Sequence, residues 1–147
     1  MNPFVNIHTH SNRHTNNKDF IEIQSINIDE IVNIDASSFL SVGVHPWAVD
    51  KIDNVDATVL QLENLLTNNP NVLAIGETGI DRLYKDTLQI QEDVFLRHIQ
   101  ISESLGKPLI IHAVRSYSDI ISIKKRTKAK SPWVIHGFQG DMMIAKQ

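Results

Sequence analysis

Five histidines and one glutamate in this chain each stand at the end of a short apolar run. His8-Thr9-His10 follows residues 4–7, His45 follows 39–44, His112 follows 108–111, and His136 follows Trp133–Ile135. Glu77 follows 72–76, inside the stretch VLAIGETGID. A carboxylate placed straight after an apolar run is costly to bury unless a cation or hydrogen-bond donors wait there. Residues two apart in a strand face the same side, so His8 and His10 can reach one metal ion. Glu77 could bridge that ion to a second, held by His112 and His136. Imidazole and carboxylate ligands without thiolates suit zinc, iron or manganese. Two such cations can activate a water and stabilise the leaving oxygen of a phosphodiester. A lone HxH or a lone strand-end histidine is ordinarily structural. Repetition at successive strand ends is what turns these residues into a candidate site.

The elements that must position them alternate in type. Strands are predicted over 4–7, 20–26, 39–44, 72–76, 108–111 and Trp133–Ile135, with Thr78, Gly79 and Asp81 as a polar turn. Residues 11–18 read as a loop containing a solvated His14, and 28–34 as irregular or a short strand. Val55, Val59, Leu62 and Leu66 recur at helical spacing, with Asp53 or Asp56 available as cap. Asp86 and Gln89 offer a capping box for a long helix carrying Gln91, Val94, Phe95, His98, Ile101, Ser102 and Leu105. Gly106 and Pro108 close that helix. Ser116 can cap a third helix, and residues 142–147 look like the opening turns of a fourth. Alternating strands and helices point to a parallel sheet. Functional side chains at the C-terminal ends of strands are the habit of (β/α)8 barrels. A full barrel typically needs about 250 residues, so 147 residues predict a TIM-type (β/α)8 barrel lacking about the last two strand–helix units. We expect one domain, 1–147, with no second unit.

Composition narrows the class. The chain is 41% hydrophobic with net charge −3, which suits a soluble core and not a protein that grips nucleic acid by charge alone. It has no cysteine, so disulfides and thiolate metal sites are excluded. A cytoplasmic location is expected: no signal peptide is recognisable at the start, and no apolar run approaches the ~20 residues of a membrane span. The basic residues of 124–130 read as a solvated helix end favourable to the helix dipole, with contact to a nucleic-acid backbone as the alternative.

The set IHTH (7–10), VGVHPW (42–47), AIGETGID (74–81), PLIIHAVR (108–115) and VIHGF (134–138) resembles the TatD family of metal-dependent deoxyribonucleases, among the amidohydrolase-like barrels. The resemblance implies two divalent metal ions (zinc, magnesium or manganese) and hydrolysis of DNA phosphodiester bonds by a metal-activated water. It implies His8, His10, Glu77, His112 and His136 as metal ligands, with Glu77 also catalytic, and His45 beside the substrate phosphate. Arg115 is a further candidate for a phosphate contact. The sequence departs from the family pattern in three places. Asn6 stands where an acidic residue is usual, and Arg115 follows His112 after two residues rather than one. The family's eighth-strand aspartate has no counterpart before Gln147, so turnover far below that of a full-length relative is expected. Other amidohydrolase-type phosphoester or amide hydrolysis, or a silent metal-binding module, are the alternatives. Asp81 reads equally as a turn residue or as an orienter of a ligand. Trp47 reads as a cleft wall or plain packing, and His98 as packed or surface. Self-association across the open barrel edge is expected, because unpaired strand edges and apolar faces seek cover.

Overall fold

Runs of Val, Ile and Leu bounded by Gly, Pro and His build the strands. The computed structural model describes residues 3–11, 19–31 and 38–147. Strands β1 (Phe4–Thr9), β2 (Phe20–Asn27), β3 (Phe39–Gly43), β4 (Val72–Asp81), β5 (Leu109–Val114) and β6 (Trp133–Ile135) lie side by side in chain order. Every neighbouring pair is parallel. Parallel neighbours need crossovers. Helices α1 (Val55–Asn68), α2 (Leu88–Leu105) and α3 (Tyr117–Thr127) provide three of them, and a short α4 (Met142–Ala145) follows β6. Sequential parallel strands joined by helices are consecutive units of a (β/α)8 barrel, and all six expected strands are present. Leu40, Val42, Ile75, Leu109 and Ile111 of the sheet pack against Leu62, Leu66, Phe95, Ile99 and Ile120 of the helices. No helix among the described residues is long and apolar enough to cross a membrane.

Several local expectations are corrected. β4 does not stop at Gly76 but runs on to Asp81, so Thr78, Gly79 and Asp81 are strand rather than turn. Asn54, not Asp53 or Asp56, caps α1, its side chain accepting from Ala57 N–H. The Asp86–Gln89 capping box does not form; a 3-10 turn (Lys85–Thr87) leads into α2 instead. Ser116 precedes α3 but donates its hydroxyl to Ile80 C=O at 2.6 Å, tying α3 to β4. Gly106 ends α2 at φ 65°, the left-handed conformation expected of it. Residues 28–30 form a 3-10 turn (Ile28–Glu30), while 32–34, His14 and most of the 11–18 loop lie outside the described residues.

The basic end of α3 sits by the start of β6. Lys124 donates to Ser131 C=O at 3.0 Å and lies over the Trp133 ring, and Arg126 pairs with Glu92. At the sheet edges, Phe4, Val5 and Ile7 of β1 are exposed, as are Phe138, Met142 and Met143 beyond β6.

His98 shows how a polar residue enters this core. It is fully buried on α2, accepts Val44 N–H at Nε2 (3.0 Å) and donates Nδ1–H to Val94 C=O (2.7 Å). Only the neutral ring satisfies both partners. Burial pushes its pKa down to about 4. Below pH 6.5 the unfolded chain therefore binds a proton that the native chain does not. Stability should fall by roughly 3 kcal/mol as pH drops from 6.5 to about 4, then level off with respect to this group. Urea denaturation of wild type and His98→Gln across that range checks it. The variant should lose this part of the pH slope; parallel profiles would contradict the assignment.

Candidate metal centre

Glu77 is the hub. Its place in β4 turns the side chain into the sheet's C-terminal mouth, where only 4% of the residue is exposed. The two carboxylate oxygens face different histidines. Oε1 lies 2.8 Å from His112 Nδ1 and 3.6 Å from His45 Nε2, and it also contacts His136 Nε2. Oε2 lies 3.5 Å from His8 Nε2 and 3.4 Å from His10 Nε2. The imidazoles pack on one another, with the His8 and His136 rings 4.3 Å apart and those of His45 and His112 4.6 Å apart. Five elements thus deliver five histidines and Glu77 to one place. Arg115 is not among them. It follows β5 in a left-handed turn (φ 53°), exposed and outside the lining of the cavity.

The charges follow from this crowding. Burial alone would push the Glu77 carboxyl up; hydrogen bonds from His112, His136 and His45 outweigh it and hold the group far below the usual carboxylate range. Burial likewise pulls His112 down, but the Glu77 and Asp81 carboxylates win and raise it. His8 goes the other way, lowered to about 4 by burial against the opposing pull of Glu77. It is therefore neutral near pH 7 and keeps a lone pair. Both ring nitrogens of His8 and Oε2 of Glu77 are buried without a hydrogen-bond partner. Unpaired buried polar atoms are rare and call for an explanation. Here lone pairs of nitrogen and oxygen face a common point, which is the donor set a divalent cation takes. His8, His10 and Glu77 form one such group, with ligand atoms within 4.8 Å of one another; the facing atoms of His45, Glu77 and His112 lie equally close on the other side of the carboxylate.

A supporting layer orients these donors. Asp81 is fully buried and accepts Trp47 Nε1–H (2.7 Å), Leu83 N–H (2.9 Å) and His112 Nε2–H (3.1 Å). That last bond leaves His112 Nδ1 aimed at Glu77. Gln91 of α2 fixes Asp81 in turn, accepting its N–H at 2.8 Å and donating to its C=O at 3.3 Å. His45 is held differently. Trp47 N–H donates to His45 Nδ1 at 3.1 Å, so the neutral ring carries its proton on Nε2, towards Glu77. That makes His45 a hydrogen-bond donor rather than a lone-pair ligand. A cavity of about 500 Å³ opens beside Glu77, lined by His10, His45, Trp47, His112 and His136 together with Asp29, Glu30 and Lys51. Asp81, Trp47 and Gln91 carry more of the site than their sequence context announces. The available signal is a second carboxylate, four residues past Glu77 at the end of VLAIGETGID, and a glutamine on the apolar stripe of α2.

Comparison with known proteins gives a consistent picture. A family model described as TatD related DNase matches residues 5–147. An uncharacterized metal-dependent hydrolase of Buchnera aphidicola subsp. Acyrthosiphon pisum is 39% identical over 112 residues, covering 73% of this chain and 42% of the relative. An uncharacterized metal-dependent hydrolase TatD of Mycobacterium tuberculosis is 30% identical over 118 residues, covering 76% and 44%. Among solved structures, a TatD homologue from Escherichia coli superposes with a TM-score of 0.71 at 23% identity, covering 86% of this chain and 51% of that one. The fold is therefore that of a TatD-type barrel. The chain spans less than half the length of the curated relatives it matches.

Proposed function

The chain belongs to the TatD related DNase family, and from that premise we propose that it binds two divalent cations around Glu77 and hydrolyses phosphodiester bonds of DNA. The observation that carries this reading is one buried carboxylate with imidazoles on both oxygens and no hydrogen-bond donor for Oε2. His8, His10 and Glu77 would hold one ion, and His112, His136 and Glu77 the other, with zinc, magnesium or manganese as candidates. Such ions, when bound, supply an activated water and stabilise the leaving oxygen. The chain's own residues do the positioning. Glu77 stays ionised and serves both groups of histidines. Asp81 keeps the His112 ring turned so that Nδ1 faces inward. His45 presents Nε2–H to a phosphoryl oxygen, its proton held on that nitrogen by Trp47 N–H. Arg115, outside the cavity, would meet a phosphate farther along the strand. Self-association belongs to the same reading, through the exposed side chains of β1 and those beyond β6.

Purified chain should be assayed with zinc, magnesium and manganese against single-stranded DNA and a chromogenic phosphodiester. We expect cleavage of both, lost on chelation. Cleavage of the chromogenic ester alone would favour another hydrolase activity on the same scaffold. Retained metal with neither substrate cleaved would favour a metal-binding module.

A further inference from the structure

We propose that Trp47 and Tyr84 form a stacking platform for an unpaired nucleobase of the strand whose phosphate lies at the Glu77 cluster; this rests on the DNA reading above. Two large aromatic side chains stand in water at the mouth of the site, Trp47 52% and Tyr84 45% exposed. They come from separate segments. Trp47 belongs to the 3-10 turn after β3 (Pro46–Lys51), and Tyr84 to the connection after β4. Their ring centroids are 5.6 Å apart with planes tilted by 31°. The same indole sits edge-on to His45 at 4.9 Å and to His112 at 5.8 Å. One aromatic surface thus starts at the donor cluster and runs outward.

Packing alone does not account for this arrangement, since a packing residue would be covered. Trp47 is instead anchored and left half in water. Its Nε1–H is bound to buried Asp81 at 2.7 Å, and its backbone N–H to His45 at 3.1 Å. A ring fixed before binding loses little freedom when a ligand covers it. The occupant must present a flat π face and be joined to an anion that reaches the cluster. A nucleobase and its phosphate meet both conditions. Charge gives little help: net charge is −3, and the cavity carries Asp29 and Glu30 beside Lys51. Binding must therefore lean on stacking, which tolerates any base because every base has a π face. Bases within a duplex keep their faces covered, so the platform selects a single strand or a frayed end.

The test uses a Trp133→Phe background, where Trp47 is the remaining indole. Manganese-loaded chain is titrated with a phosphorothioate oligothymidylate and with an abasic phosphorothioate oligomer of the same length. The base-bearing oligomer should quench Trp47 emission and bind about tenfold more tightly than the abasic one. Tyr84→Leu, a substitution on the surface, should shrink that ratio while leaving abasic binding unchanged. Equal binding of the two oligomers with unaltered Trp47 emission would overturn the platform and leave the DNA reading standing. Binding of neither would overturn both.

Discussion

Replacing Glu77 with alanine is expected to strip the site of metal and to lower any metal-dependent turnover by more than about 10²-fold. Loss of an outer partner of a ligand typically costs about 10–100-fold in affinity or activity. Glu77 is no outer partner: it touches His8, His10, His45, His112 and His136 at once. Without it the two groups of histidines share no anion. Glu77→Gln separates charge from shape, because the amide fills the same space and lacks the ionised oxygen. Both variants should fail to retain metal in elemental analysis, and Glu77→Gln should keep the native circular dichroism spectrum. Wild-type metal content in either variant would remove Glu77 from the centre of the site.

Gly79→Ala should damage the fold severely. Gly79 has φ 141° and pairs with His112 across β4 and β5. A Cβ there would lie 2.2 Å from the His112 carbonyl oxygen, a backbone atom that cannot swing aside. Backbone strain of this kind costs about 1–3 kcal/mol, and forced overpacking adds a similar ~1–3 kcal/mol. A loss near 4 kcal/mol is expected in chemical denaturation, with His112 displaced from Glu77. Gly106→Ala is the contrast. Gly106 also has positive φ, at 65°, but a Cβ there meets nothing within 4 Å. Only the left-handed penalty of about 1–2 kcal/mol should remain. Equal losses at the two positions would show that close strand approach is not what Gly79 provides.

The legible part of this molecule is what periodicity and residue type encode. Apolar runs marked six strands, and the two-residue spacing of His8 and His10 put both rings on one side. What stayed hidden depends on partners distant in sequence. Gly79 reads as part of a polar turn after a strand ending at Gly76, yet both glycines let β4 pass close to β5, so the strand continues to Asp81. Asp81 reads equally as a turn residue or an orienter, because nothing near it in sequence reveals His112 and Trp47 as its partners. Ser116 looked like a cap by position, but the Ile80 carbonyl competes for its hydroxyl. Gln91 and His98 looked like ordinary members of a helix face. Each is instead a buried polar group satisfied by backbone of another element. Arg115 carried the right charge near the right strand, and the left-handed turn after β5 places it outside the cavity.

Anomalous X-ray diffraction from manganese-soaked crystals would show whether the unpaired donors around Glu77 make a cation site. An anomalous peak is expected between Glu77, His8 and His10, with a second on the side of Glu77 that faces His112 and His136, and neither in Glu77→Gln crystals. Full occupancy of manganese elsewhere, with the Glu77 cluster free of anomalous density, would contradict it.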